Sequence, residues 1–214
     1  MPHVTDIEII FQNIRQKAPK IHCLTNPVTM QDVANLLLAA GGSAVMGQNE
    51  KEAAEITGFC QGTLLNTGVP DEAKINACIL AGKKANALRH PVVLDPVGVG
   101  ASTFRRETIK NLLAQVHPDL IRCNQEEAAV LCSLFSDRTS PRSHGGVESA
   151  LRLTESDVCS TAKQTANLFR TTVLITGAMD VVSDGENTQL LTGGDSRICR
   201  ITGGGCMLSA LCTL

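Results

Sequence analysis

The 214-residue chain contains no tryptophan and no tyrosine, and five phenylalanines make up its whole aromatic complement. Stacking bases of a single strand needs aromatic faces, so that mode of nucleic-acid binding is unsupported. A surplus of either charge is also missing: 19 Lys and Arg stand against 21 Asp and Glu, for a formal charge of −2 and a pI near 6.2. Such a balance offers no electrostatic basis for binding nucleic acid or an anionic membrane, and neither is expected as a partner. No apolar run reaches the length of a membrane span. The opening stretch MPHVTDIEIIFQNIRQKAPK sets its apolar residues at helical spacing and lacks the continuous apolar segment of a secretory leader, so none is expected. The nine cysteines form no C-x-x-C pair and show no close Cys/His spacing of a zinc site. Most are expected to be small buried hydrophobes, reduced in a cytoplasmic protein.

What is present describes an ordinary globular chain. Hydrophobic residues at 43% and charged residues at 19% suit a single domain over residues 1–214. KIHCLTN, SAVMG, GTLLN, PVVLD and DLIRC read as strands, and the apolar period between them lengthens to that of a helix over 28–40, 50–58, 71–88 and 103–116. Gly41-Gly42 stops the first of these helices, and the third opens with two acids and sets Ile75, Cys78, Ile79 and Gly82 on one face. Strands alternating with helices of this length predict an α/β fold, with a mostly parallel central sheet flanked by helices on both faces. After Leu134 the stretch FSDRTSPRSHGG predicts a surface loop, followed by a helix over 155–170 and the strand TTVLIT. Asp184-Gly185 between two β-like runs predicts an antiparallel hairpin near the C-terminal edge of the sheet.

Two common nucleotide motifs fail. The Gly82-Lys83 pair is followed by Lys84 where a Walker A loop needs Ser or Thr, and Thr103 stands where the dinucleotide fingerprint begun by Gly98 and Gly100 needs a third glycine. In PVVLDPVGVGAS a buried strand delivers Asp95 at its C-terminal end, where open α/β sheets bind ligands, although a capped strand end with a tight turn has the same pattern. DLIRCNQEEAAVL brings Arg122, Asn124 and Glu127 to the next strand end. Its N-x-x-E spacing is that of a capping box, yet two acids on one sheet edge beside an arginine also suit Mg²⁺ and phosphate. Both acids are expected at exposed strand ends.

The stretch RITGGGCMLSALCTL places Gly203, Gly204 and Gly205 directly before a helix. Unpaired backbone N–H groups would there point one way at the positive end of the helix dipole, an anion hole suited to phosphate. Cys206, in the first turn, is expected to have its thiol pKa lowered from about 8.5 and to be reactive; the alternative is a core cysteine behind a flexible turn. The residues that follow are apolar on nearly every side and carry no helix stop, so this tail is expected to stand uncovered and the chain to be marginally stable.

HCLTNPVTMQDVAN, AVMGQNEKE, VVLDPVGVGA, IRCNQEE, VLITGAMDVVSDG and TGGGCMLSA together resemble the hydroxyethylthiazole kinase family, which has a ribokinase-like fold. The resemblance implies transfer of the ATP γ-phosphate to the primary alcohol of 4-methyl-5-(2-hydroxyethyl)thiazole, a step of thiamine biosynthesis and salvage. It implies Asp95 and Glu127 as the Mg²⁺ acids, Arg122 and Thr176 as ATP contacts, and Met46, Gly203 and Asn26 as thiazole contacts. Cys206 takes the position of the base, and a homotrimer is implied. Two departures touch the phosphate site: Gly204 stands where the family usually has Thr, and Cys123 where it usually has Gly. The family also continues further at its C-terminus, so the chain is expected to be truncated there. Three other readings stay open: another ribokinase-like small-alcohol kinase, a thiol enzyme built on Cys206, and an inactive form that only binds a partner subunit.

Overall fold

The computed structural model describes residues 4–135 and 154–214. The strands expected from sequence all form: β1 (Lys20–Leu24), β2 (Ser43–Met46), β3 (Gly62–Asn66), β4 (Val92–Asp95), β5 (Leu120–Asn124) and β6 (Thr172–Thr176). They run parallel, and β7 (Asp180–Ser183) and β8 (Thr188–Leu191) add an antiparallel edge, giving the order β2-β1-β3-β4-β5-β6-β7-β8. The β7–β8 hairpin turns through residues 184–187, where the Asp184 carboxylate accepts the N–H groups of Glu186 and Asn187 and Gly185 takes a φ of 96°.

The helices are α1 (Val4–Lys17), α2 (Met30–Ala40), α3 (Ala53–Phe59), α4 (Glu72–Leu88), α5 (Thr103–Leu113), α6 (Gln125–Phe135), α7 (Glu155–Phe169) and α8 (Gly204–Leu211), with a 3₁₀ turn at Ser196–Arg200. Their ends follow local chemistry. The Asp71 carboxylate accepts the Lys74 N–H at 2.8 Å to start α4, Thr154 and Asp157 form a capping box on α7, and Gly41 ends α2 in the left-handed region at φ 104°. Most of the loop expected after Leu134 lies outside the described residues.

Alternation along the strands divides the core between the two faces. On β3 and β4, Leu65 and Leu94 join Ile75, Ile79, Ile109, Leu112 and Leu131 beneath α4 to α7. Their neighbours Leu64 and Val93 turn the other way, to Ile21, Val33 and Leu37 under α2 and α8. Helix α8 thus lies across the central strands. The expectation that the apolar tail stands uncovered is corrected here: Cys206, Ser209, Ala210 and Thr213 are buried, Met207 and Leu214 pack against this second core, and Cys212 alone of residues 206–214 is exposed. A side chain on Gly62 would run into the Thr213 carbonyl and one on Gly42 into Leu214, so both glycines mark places where the tail seats closely.

Candidate active site

The parallel strands deliver their last residues to one edge of the sheet. Asn26 follows β1, Asn66 ends β3, Asp95 ends β4, Arg122 and Asn124 lie at the end of β5, and Thr176 ends β6. Asn66 and Asp95 are ladder partners, and so are Asn124 and Thr176. The N-terminus of α8 reaches this same edge. There Asp95 is fully buried; its Oδ2 accepts the Asn66 amide at 2.9 Å and the Ser209 hydroxyl at 2.8 Å, while Oδ1 has no hydrogen-bond partner. An Nη of Arg122 stands 3.8 Å from that oxygen. Burial raises the Asp95 pKa, against the pull of Arg122, Ser209 and Asn66.

Glu127 takes the capping role that its spacing allowed, and adds a second tie. It closes the capping box of α6: its N–H donates to Asn124 Oδ1 at 2.8 Å and its Oε2 accepts the Asn124 N–H at 2.9 Å. Its Oε1 accepts the Gly98 N–H at 2.7 Å, which ties the turn after β4 to the start of α6. Burial, and then the charge of Asp95, push its pKa up to about 7, opposed by the N–H groups of Asn124 and Gly98. The expectation that Asp95 and Glu127 sit at exposed strand ends is therefore wrong, since they are 0% and 5% exposed. The α8 segment supplies the partner that closes over Asp95, and the turn after β4 folds onto Glu127.

Arg122 donates to the Thr176 hydroxyl, and its guanidinium lies against Gly205, where any side chain would collide with it. Its Nε is buried without a partner. The first helical bond of α8 runs from the Met207 N–H to the Gly203 carbonyl at 2.9 Å, so the N–H groups of residues 204 to 206 point out of the helix end. Gly203 precedes them at φ 82°, close against the Thr29 side chain. The outward-facing N–H groups of α8 and the half-buried Arg122 guanidinium thus meet at one point.

Cys206 is 8% exposed, and its sulfur accepts amide N–H groups from Asn66 at 3.2 Å and Asn26 at 3.5 Å. Its pKa is raised, by burial and then by the charge of Asp95, against hydrogen bonds from Asn66, Thr29 and Asn26. This corrects the expectation of a lowered value: the helix end favours the thiolate, and burial beside a carboxylate outweighs it. Met46 ends β2, half-buried and packed on the α2–α8 face, two strands away from Asn66. His22 is engaged elsewhere, bonded to Thr57 Oγ1 and the Gly47 carbonyl at 2.9 Å each, and among the described residues no histidine is hydrogen-bonded to the Cys206 sulfur.

Sequence reasoning missed Asn66 and Ser209. The rule that singled out Asp95, that ligands gather at carboxyl ends of parallel strands, applies equally to the last residue of GTLLN. Ser209 lies three residues beyond Cys206 on the same helical face. Among the described residues no three His, Cys, Asp or Glu side chains converge on a metal cage, and no helix is long and apolar enough to cross a membrane. The unpartnered Asp95 oxygen nevertheless suits Mg²⁺, an ion taken by one or two carboxylates together with phosphate oxygens and water.

A model of the hydroxyethylthiazole kinase family matches residues 11–214. The hydroxyethylthiazole kinase of Lysinibacillus sphaericus is 40% identical over 204 residues, which cover 95% of this chain and 77% of that protein. The structure of the hydroxyethylthiazole kinase protein from Pyrococcus horikoshii OT3 superposes with a TM-score of 0.86 at 32% identity, over 98% of this chain and 76% of that one. Adenosine kinase from Schistosoma mansoni, at 14% identity and a TM-score of 0.55 over 94% of this chain and 68% of its own, shares the fold alone.

Proposed function

The chain belongs to the hydroxyethylthiazole kinase family, and on that premise we propose that it phosphorylates the primary alcohol of 4-methyl-5-(2-hydroxyethyl)thiazole with MgATP. The observation that carries this reading is the meeting of three groups at one sheet edge: the unpartnered carboxylate oxygen of Asp95, the Arg122 guanidinium and the free N–H groups at the start of α8. Arg122, held by Thr176, and the N–H groups of residues 204 to 206 bind phosphoryl oxygens as negative charge spreads over them. Asp95 and, through a water or directly, Glu127 would hold Mg²⁺, which supplies neutralisation of the β- and γ-phosphate oxygens when bound.

Asn26, Met46 and the backbone at Gly203 line the side of the alcohol, and Cys206 stands at the base position. Its raised pKa keeps it a thiol in the resting site. That suffices, because the loose transition state of phosphoryl transfer asks little of a base: the alcohol oxygen bonds to the γ-phosphorus as the bond to ADP breaks, and its proton leaves late to an oxygen of the transferred phosphoryl group. A single domain over residues 1–214, a homotrimer and a cytoplasmic location belong to the same reading. The test is to incubate the purified chain with the thiazole alcohol, Mg²⁺ and ATP and detect the phosphate ester by mass spectrometry. No ester with this alcohol, but an ester with a pyridoxal or pyrimidine alcohol, would reassign the substrate; no ester with any of them would remove the kinase reading.

A further inference from the structure

Behind the carboxylate and the sulfur stands a second layer of polar groups. Asn66 is fully buried, and its orientation is unambiguous: the Gly68 backbone N–H donates to Oδ1 at 2.9 Å, so Nδ2 is the atom that faces Asp95 Oδ2 at 2.9 Å and Cys206 Sγ at 3.2 Å. Asn26 is oriented in the same way, with the Val28 N–H on its Oδ1 at 3.2 Å and its Nδ2 turned to Asn66 Oδ1 and to the sulfur. Gly68 is wedged between these amides, where an added Cβ would come within 3.0 Å of both.

The far side of Gly68 is held by a charge. Lys74, in the first turn of α4, is only 3% exposed, and its ammonium donates to the Gly68 carbonyl at 2.5 Å. Among the described residues this is the one hydrogen bond of a group with three donors, and burial lowers its pKa. As a stabilising device it is poor, because a buried ammonium with one neutral acceptor costs more in lost hydration than the bond returns. Asp71, which caps α4, and Cys78 within that helix lie beside it, and its electrostatic reach extends to Asp95 and Cys206 at the site.

We infer that Lys74 and Asn66 are positioning residues of the phosphotransfer site: the ammonium clamps the Gly68 peptide, the peptide fixes the Asn66 amide, and the amide sets the carboxylate of Asp95 and the sulfur of Cys206 relative to each other. The inference rests on the kinase reading above. It concerns the chain's own groups, and neither residue is placed on substrate or nucleotide.

The experiment compares Lys74→Met, Asn66→Leu and the double variant with the wild type, by steady-state kinetics and by thermal unfolding without ligands. Met keeps the length of the side chain and removes the buried charge. Lys74→Met is expected to unfold at the same or a higher temperature than wild type, yet to lose at least fivefold in kcat, with KM for ATP within twofold. Asn66→Leu is expected to lose more, at least twentyfold, and adding Lys74→Met to it should cost no further activity, because the lysine acts through the amide. A parallel fall of unfolding temperature and kcat in Lys74→Met would make its role structural and overturn the inference. So would unchanged kcat, or equal factors for Lys74→Met with and without Asn66. Should Asn66→Leu fail to fold, Asn66→Ser takes its place in the cycle. A wild type that forms no ester overturns the kinase reading itself, whereas these outcomes presuppose one that does.

Discussion

Cys206 sits at the centre of the site as an acceptor, with two asparagine amides on its sulfur and its ionisation opposed by burial and by Asp95. A group in that state aligns an alcohol more than it withdraws a proton. Cys206→Ala should therefore lower kcat by less than about 100-fold, below the upper range for removing a general base. Steady-state rates at saturating ATP and alcohol decide this, and a larger loss would show the sulfur to be the obligatory base. Gly205 is the complementary case, a residue whose importance is the absence of a side chain. Gly205→Ala should push the Arg122 guanidinium from the end of α8 and raise KM for ATP by about tenfold, the equivalent of one charge-assisted hydrogen bond. The unfolding temperature should not fall, since alanine favours the helix by up to about 1 kcal/mol over glycine. An unchanged KM for ATP would take Arg122 out of the nucleotide site.

At the scale of elements, α8 performs two tasks with one packing. Its first turn supplies the N–H groups and the thiol, and its later turns fill the core between α2 and the central strands. The fit is close where β3 begins, with the site of a Gly62 side chain 2.7 Å from the Thr213 carbonyl. Gly62→Ala is expected to destabilise the fold by about 1–3 kcal/mol, the usual cost of overpacking a filled core, and also to reduce activity by tilting α8. Urea unfolding followed by circular dichroism measures the first effect; a loss below about 0.5 kcal/mol would mean that the tail is free to move aside. Helix α6 is similarly dual, because the Glu127 that caps it also anchors the turn carrying Gly98.

Across the whole molecule, buried titratable groups give stability opposing dependences on pH. Glu127, with a folded pKa of about 7 against 4.5 for the free side chain, holds a proton that the unfolded chain releases, so its contribution falls as pH rises through that window and is level above it. His22 has its pKa lowered by burial from 6.5, so the unfolded chain takes up a proton first and stability falls as pH drops below that value. Comparing wild type with Glu127→Gln isolates the carboxyl. The difference in unfolding free energy, measured in urea without metal, should shift toward the variant between about pH 5 and 7 and stay constant above about pH 8. The same difference at both ends would show that Glu127 is ionised throughout.

Much of this architecture was legible one residue at a time. Alternating strands such as PVVLD, the glycine stop after α2, the acids opening α4 and the Asp184-Gly185 turn act through neighbours within a few positions, so their meaning survives in the linear chain. Asp95, Arg122 and Cys206 stood out for the same reason, because strand ends and helix starts are local features, whereas Thr176 entered only through the family resemblance. What their environment does to them was not local. Asn66 reaches Cys206 across 140 positions and Ser209 reaches Asp95 across 114, and these contacts exist only because α8 folds back over β3 and β4. The sequence could place a thiol at a helix start, where the dipole lowers its pKa. Only the tertiary structure sets that small stabilisation against loss of water and a nearby carboxylate, and the desolvation of a charge is the larger energy.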